Sequence, residues 1–295
     1  MESRVLLIVY DPLVDPSKGT KLTQRMRWNQ VDELVDGYIA DIEECSAGQV
    51  KYQVVERKDV EQFPIKVDGF RYTASRYLEM IAGRARAHEP DMVDYQQIIS
   101  DFDLLERVQD GEIDEVWLMG FPYAGFYESR MAGRGAFWCN APPLDRTDHC
   151  PRRFVIMGFS YERGVGEMLE DLGHRTESIM DKVYENKRGE ANLWKRFTRY
   201  DKAAPRQAEV GSVHFAPNSE RDYDWGNHRF VPSRCDDWLN FPELRGLTRR
   251  VNCAEWGNGD IRLHHKWWLA HLPKAGGTTD GISNNWWEYV IKVDL

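Results

Sequence analysis

The chain has no surplus of positive charge. Its 295 residues carry 39 Lys and Arg against 48 Asp and Glu, which gives a formal net charge of −9. Nucleic-acid binders draw most of their affinity from neutralising phosphates, and anionic membrane surfaces attract basic segments in the same way. The acidic balance therefore predicts that neither nucleic acid nor a membrane is a partner.

Long apolar segments are missing as well. A membrane-spanning helix needs about 20 apolar residues, whereas the longest early apolar run, residues 5–10, has the length of a strand. The N-terminal segment also lacks the basic leader and the small-residue cleavage site of a signal peptide. These observations leave the compartment unknown, with the cytoplasm favoured over export.

Cysteine is scarce and forms no sequence motif. The five cysteines contain no C-x-x-C pair, so a zinc site built from cysteine pairs has no support. The spacing allows two disulfides, Cys139 with Cys150 and Cys235 with Cys253. The odd count favours the alternative, which is buried free thiols in a reducing compartment.

Three common motifs of nucleotide binding and catalysis are also absent. No G-x-G-x-x-G follows the first apolar run, and the chain contains neither G-x-x-x-x-G-K-[ST] nor G-x-S-x-G. A Rossmann dinucleotide site, a P-loop and a serine hydrolase with a nucleophile elbow are therefore disfavoured.

Strand-like and helix-like segments alternate up to about residue 183. Apolar or alternating runs predict strands over residues 4–10, 50–55, 113–119 and 153–157. Helical spacing of apolar residues predicts helices over residues 31–42, 73–87 and 95–108. Such alternation is typical of an α/β fold with a mostly parallel sheet flanked by helices.

The last third of the chain differs in composition. Most of the 11 tryptophans lie there, among Pro, Gly, Asn, Asp and His. We expect residues 1–187 to form an α/β sheet domain. Residues 188–295 are expected to form a Trp-rich, loop-rich region that packs on the sheet as part of the same globular unit. Short helices are predicted over residues 193–200 and 260–272.

One predicted helix, within residues 161–183, has an unusual polar face. Its apolar residues share one face at helical spacing, namely Val165, Met168, Leu169, Leu172, Ile179, Met180 and Val183. The opposite face carries Glu167, Glu170, Asp171, His174, Glu177 and Asp181. A charged helix face normally lies in water, and that is the first interpretation of these carboxylates.

Two features favour a covered face instead. The acids are joined by a histidine and almost no lysine, so the face lacks the Glu–Lys pairs of an exposed helix. Gly164, Gly166 and Gly173 each weaken the helix by about 1 kcal/mol relative to Ala, which indicates close approach by another backbone. The polar face is therefore predicted to meet the C-terminal third.

Residues four apart on a helix lie side by side, so Glu170 and His174 can share one divalent metal ion, with zinc as the candidate. The segment Glu170-Asp171-Leu172-Gly173-His174 resembles the H-E-x-x-H helix of zincin-type metallopeptidases, including their E-L-G-H ending. The resemblance implies that Glu170 and His174 are ligands and that Asp171 is the general base. It departs from the motif, because Glu170 stands for the first histidine and Asp171 for the catalytic glutamate.

The C-terminal third supplies the remaining candidates for such a site. Histidine is the commonest metal ligand, and the third ligand is expected from His214, His264 or His265. Glu167 is a second candidate base, and Glu177 a further catalytic candidate. The sequence thus predicts a metal-dependent, peptidase-like hydrolase of a small-molecule or peptide substrate.

Two alternatives stay open. The first is glycan binding or cleavage, in which exposed tryptophans stack on sugar rings and paired carboxylates act as acid and base. Its candidate platforms are Trp225, Trp238, Trp267, Trp268 and Trp286. Its candidate carboxylates are Glu167, Glu170, Asp222, Asp224, Asp236 and Asp237. The second alternative is a non-catalytic interaction protein whose helix face is solvated.

Five short stretches together resemble an uncharacterised bacterial protein family over most of the chain. They are residues 114–117, 125–129, 161–165, 173–177 and 284–287. The resemblance implies no activity and no catalytic residue, but it implies that relatives are exported.

Overall fold

The computed structural model describes residues 1–293. The distribution of contacts between residues divides the chain into two compact units. The sheet unit comprises Glu2–Asp36 and Tyr52–Gly164, and the C-terminal unit comprises Met1, Gly37–Lys51 and the residues from Val165 on. The helix with the unusual polar face thus falls in the C-terminal unit. That residues 1–187 form a sheet domain and residues 188–295 belong to the same globular unit stays a prediction.

The sheet unit contains most of the strands. They are β1 (Glu2–Tyr10), β2 (Leu13–Asp15), β3 (Thr20–Lys21), β4 (Lys51–Val60), β5 (Glu115–Gly120), β6 (Ser129–Ala132) and β7 (Phe154–Ser160). Its helices are α1 (Leu22–Met26), the start of α2 (Val31–Cys45), α3 (Ala74–Ile81), α4 (Tyr95–Asp101) and α5 (Leu104–Gln109). Strands and helices alternate as the sequence predicts.

The central sheet has the order β4-β1-β5-β7-β6. Strand β5 pairs in parallel with β1 and with β7, and β6 closes the edge antiparallel to β7. Every residue of β5 is buried, as are residues 5–10 of β1. Central parallel strands are covered on both faces, which is why these strands appear as continuous apolar runs. The predicted mostly parallel α/β sheet is therefore confirmed.

Three sequence-based element predictions need correction. The helix predicted over residues 95–108 is two helices, because Asp103 adopts a left-handed backbone with φ +51° between them. The helix predicted over residues 73–87 ends at Ile81. The edge strand β6 was not predicted, since its four residues are too short to show a period.

The C-terminal unit contains more regular structure than its loop-rich composition predicts. Its helices are α6 (Val165–Val183), α7 (Leu193–Phe197), α8 (Cys235–Leu239), α9 (Ile261–Ala270) and α10 (Trp286–Ile291). Two antiparallel pairs accompany them, β8 (Val231–Ser233) with β9 (Arg249–Val251) and β10 (Lys274–Thr279) with β11 (Ile282–Asn285). Among the residues that the structure describes, no helix has both the length and the apolar character that crossing a bilayer requires.

All five cysteines are buried free thiols. The pairs Cys139/Cys150 and Cys235/Cys253 are not bonded, so of the two interpretations of the cysteines the free thiols are confirmed.

An ion pair at the start of β5 gives the sheet unit a pH-dependent stability. Burial raises the pKa of Asp114, but hydrogen bonds from Arg4 and Arg152, at 2.9 and 2.8 Å, outweigh it and hold the pKa at about 2. The pKa of an Asp side chain in the unfolded chain is about 3.9. The ionised form therefore stabilises the fold above about pH 4, and this contribution is lost as the pH falls towards about 2.

We expect Asp114→Asn to lower the free energy of unfolding by about 1–2 kcal/mol at neutral pH, after allowance for solvent screening. The difference between wild type and variant should shrink as the pH falls through the acidic range. Urea unfolding at several pH values measures it. A difference that is the same at neutral and acidic pH would contradict the assignment.

Candidate metal centre

The polar face of α6 is covered. No residue between Val165 and Met180 is exposed, and Glu170 is only 7% exposed. Burying a carboxylate is costly unless charged or hydrogen-bonding partners compensate it. The solvated-face interpretation is therefore wrong for residues 165–180 of this helix, whereas Asp181, near its end, is exposed.

Two glycines of α6 allow other parts of the chain to approach this face closely. A Cβ atom at Gly166 would lie 2.7 Å from Ile261 Cγ2 and 2.9 Å from the backbone nitrogen of Arg262, at the start of α9. A Cβ atom at Gly173 would lie 2.6 Å from Val213 Cγ2. Both separations are too short for any residue with a side chain. The predicted close approach of another backbone is confirmed at Gly166, whereas at Gly173 the neighbour is the side chain of Val213, which brings residues 213–214 against α6.

Three ligand-type side chains converge where residues 213–214 meet α6, and we call them the Glu-His-His cluster. His214 Nε2 lies 3.1 Å from His174 Nε2 and 3.2 Å from Glu170 Oε1, and His174 Nε2 lies 3.9 Å from that same oxygen. Tetrahedral coordination with bonds of about 2.0–2.1 Å places ligand atoms about 3.3–3.4 Å apart. The three separations bracket this value. The cluster therefore has the dimensions of a metal site formed by two imidazoles and one carboxylate.

Each imidazole is oriented by a second carboxylate. Asp222 Oδ1 lies 3.0 Å from His214 Nδ1, and Glu177 Oε2 lies 3.2 Å from His174 Nδ1. Metal-binding histidines usually donate the other ring N–H to such a group, which fixes the tautomer and raises the basicity of the ligand nitrogen. In both rings this arrangement directs Nε2 into the cluster.

Glu177 also joins two segments of the chain. Its Oε1 accepts a hydrogen bond of 3.1 Å from the backbone N–H of Val213, while its Oε2 holds His174. One carboxylate therefore fixes both the ligand on α6 and the segment that carries His214. This places Glu177, a catalytic candidate from the sequence, beside a ligand.

The carboxylate of Glu170 and the imidazole of His214 each stabilise the charged form of the other. Burial raises the pKa of Glu170. The hydrogen bond with His214 and the nearby His265 and His174 lower it by more than burial raises it, so the pKa of Glu170 lies below its usual value. The hydrogen bond to Glu170 raises the pKa of His214 against the opposing effects of burial and His174. Glu170 is thus an anion, as a ligand for a cation must be.

One side of the cluster faces solvent. The ring of Tyr223 lies 4.3 Å from that of His214 and is 53% exposed. Its backbone is left-handed, with φ +57°, which is uncommon outside glycine. Asp222, beside it, is exposed as well. The His214 side chain is itself 26% exposed, so this side of the cluster borders on solvent.

The other two histidine candidates lie behind this site. His264 and His265 are fully buried, and the rings of both contact Trp225 at 4.7 and 5.1 Å. His265 Nδ1 lies 2.8 Å from the carbonyl of Ile261, and burial lowers the pKa of His265 to about 4. Of the three histidines considered as third ligand, the structure brings His214 to Glu170 and His174.

The two candidate bases lie next to candidate ligands along the helix. Glu167 precedes Glu170 by three residues and Asp171 precedes His174 by three, and residues three apart are neighbours on a helix surface. Both side chains are half-buried.

The tryptophans proposed as sugar platforms form core instead. Trp225, Trp238, Trp268 and Trp286 are buried and Trp267 is half-buried. The rings of Trp238, Trp268 and Trp286 each contact Phe197 edge-on or tilted at 5.2–5.7 Å. The four buried rings have no exposed face on which a sugar could stack.

The carboxylates of the glycan hypothesis have separate partners. Asp224 Oδ2 accepts from the backbone N–H of Glu220, Asp237 Oδ2 accepts from that of Gly246, and Asp236 pairs with Arg249. Asp222 and Glu170 bind opposite nitrogens of the His214 ring. These contacts do not favour an acid–base pair of glycosidase type.

Comparison with models of known protein families, with characterised proteins and with solved structures finds no match for this chain. The chemistry of the site is therefore inferred from its geometry alone.

The orienting role of Glu177 can be tested directly. We expect Glu177→Gln to weaken metal binding about 10–100-fold, because an amide holds the imidazole N–H less strongly than a carboxylate does. Competition against a chromogenic chelator measures the affinity. The control is Asp181→Asn, which removes one negative charge from α6 at a residue that pairs with Lys195 at 2.7 Å. Equal affinities for Glu177→Gln and wild type would count against this role.

Proposed function

We propose that the chain is a metal-dependent hydrolase with Glu170, His174 and His214 as its metal ligands. One observation carries the proposal. Two imidazole nitrogens and a carboxylate oxygen converge at tetrahedral spacing, and each imidazole is held from behind by a further carboxylate.

The composition of the ligand set supports catalysis over a purely structural role. Structural zinc sites are usually closed by four protein ligands, whereas catalytic sites use three, including the combination of two histidines and one glutamate. The fourth position is then left to water or substrate. The exposed side of the cluster, beside Tyr223, is the side from which both would enter. A divalent cation bound there would lower the pKa of a coordinated water, which supplies a nucleophile at neutral pH.

The carboxylates around the cluster would position the imidazoles and accept a proton. Glu177 and Asp222 hydrogen-bond the ligand imidazoles, so we assign them to positioning. Asp171, or alternatively Glu167, would accept the proton of the attacking water, since each lies on α6 beside a ligand.

The proposal is tested with metal-free and zinc-loaded protein on three probes: p-nitrophenyl acetate, p-nitrophenyl phosphate and a fluorogenic peptide amide. We expect turnover of at least one probe only in the zinc-loaded form. Asp171→Asn should keep the metal and lose about 10²–10⁴-fold in rate if Asp171 is the base. If Glu167→Gln shows this loss instead, Glu167 is the base. Bound zinc without metal-dependent turnover of any probe would count against the hydrolase and leave the metal centre in place.

A further inference from the structure

A second group of ligand-type side chains lies in the C-terminal unit and shares no residue with the Glu-His-His cluster. We call Cys235, Asp236 and His271 the cysteine cluster. One ligand atom of each residue lies within 4.8 Å of the other two. Cys235 and Asp236 are the first residues of α8, and His271 directly follows the last residue of α9. The cluster thus spans two helices that are distant in sequence.

His271 has the hydrogen bonding of a metal-ligating imidazole. Its Nδ1 lies 2.7 Å from the carbonyl oxygen of Trp267, so Nδ1 carries the proton and Nε2 keeps its lone pair. The residue is 5% exposed, and Nε2 has no hydrogen-bond partner among the described residues. Leaving a buried polar atom unpaired is destabilising. A cation at Nε2 would remove this cost.

Arg249 orients the carboxylate of Asp236 and leaves it able to accept a further ligand. Arg249 donates to both of its oxygens, from Nε to Oδ2 at 2.6 Å and from Nη2 to Oδ1 at 3.0 Å. Each carboxylate oxygen has two lone pairs, so Oδ2 keeps one acceptor position, whereas the second position of Oδ1 accepts the S–H of Cys235 at 3.6 Å. Arg249 also pairs with Glu255, which fixes the guanidinium. Asp236 is therefore a preorganised anion at the edge of the cluster.

Cys235 supplies the soft ligand that the Glu-His-His cluster lacks. The residue is fully buried, and its Sγ lies 3.6 Å from Asp236 Oδ1. Burial raises the pKa of this thiol to about 11, which keeps it protonated at neutral pH and disfavours a role as a nucleophile. A cation bound at this position would displace the thiol proton to solvent.

We propose that the cysteine cluster is a site for a thiophilic divalent cation, with zinc as the best fit, and that the cation ties the start of α8 to the end of α9. One thiolate, one imidazole and one carboxylate form a ligand set that zinc accepts and that hard cations such as magnesium do not favour. The burial of Cys235 and His271 shields two of the three ligands, whereas the Asp236 side chain is 48% exposed and lies at the edge of the site. The proposal does not depend on the hydrolase activity.

Cobalt(II) titration of the metal-free protein separates the two sites. Only a site with a cysteine ligand gives a thiolate-to-cobalt charge-transfer band in the near ultraviolet, and the Glu-His-His cluster has none. We expect a band that is present in wild type, disappears in Cys235→Ser, and saturates at one equivalent in His174→Ala, where the Glu-His-His cluster no longer competes for cobalt. Cys253→Ser, which changes another buried thiol of the same unit, is the matched control and should keep the band.

A second measurement covers the case in which Cys235→Ser does not fold. In the His174→Ala background, zinc should still raise the Tm, because binding to the folded state alone stabilises it. His271→Gln in that background should abolish the rise. The proposal is overturned if wild type shows no charge-transfer band, if the band survives in Cys235→Ser, or if the zinc-dependent rise in Tm survives in the double variant His174→Ala/His271→Gln.

Discussion

His174→Ala is expected to lose one equivalent of bound metal and to weaken binding at the Glu-His-His cluster more than about 100-fold. Loss of an orienting partner alone costs about 10–100-fold, and His174 is itself a ligand. Its Nε2 is 3.1 Å from that of His214, so its removal leaves a site of only two ligands. Metal content after gel filtration in zinc-containing buffer, together with a chelator competition, measures the loss.

The control for this variant is His149→Ala, which removes an exposed imidazole from the sheet unit. It should bind metal as wild type does. Circular dichroism of both variants shows whether they fold. A folded His174→Ala protein with wild-type affinity and metal content would refute the ligand assignment.

Gly173→Ala is expected to weaken metal binding about tenfold or more without touching a ligand. The added Cβ would lie 2.6 Å from Val213 Cγ2, whereas carbon atoms in contact prefer about 3.5–4.0 Å. Val213 must therefore move by roughly 1 Å, and His214 is the next residue along the chain. In an interior as densely packed as an organic crystal, that displacement cannot be absorbed locally.

A compensating substitution makes this prediction specific. Val213→Ala removes the two methyl groups nearest Gly173, so the double variant Gly173→Ala/Val213→Ala should bind metal more tightly than Gly173→Ala alone. Alanine also favours the helix over glycine by about 1 kcal/mol, so stability by itself does not report on the clash. If metal affinity is unchanged in Gly173→Ala, the close approach does not position His214.

The fold was predictable where the residues of one element determine its period. Strand β1 and helix α2 show their apolar patterns directly, and both lie where the sequence predicts them. The break between α4 and α5 depends on the left-handed backbone of Asp103, which leaves no trace in the spacing of apolar residues. The helices and strand pairs beyond α7 are short, so most of them escaped detection.

The candidate site was predictable in part for the same reason. Glu170 and His174 are one helical turn apart, and the glycines of α6 indicated that another backbone covers them. The choice of His214 over His264 and His265 depends on how residues 184–260 return to α6, which local spacing cannot show. Asp222 appeared in the sequence only as a glycan-type acid, because its contact with His214 is made by a loop.

The cysteine cluster was missed entirely. Its residues come from the ends of two short helices and form no spacing motif. The only signal was the presence of Cys235 beside Asp236 in a region rich in histidine. For the tryptophans the sequence predicted too much exposure, because their polar, loop-rich surroundings suggested exposed rings. In the structure, Trp194, Phe197 and Trp286 form part of an aromatic core.

An anomalous difference map at the zinc edge, from crystals grown with zinc, tests the central claim most directly. We predict a peak about 2 Å from Glu170 Oε1, His174 Nε2 and His214 Nε2. With zinc present in the crystal, the absence of a peak at this position would contradict the metal centre, as would imidazoles of His174 and His214 that point away from each other.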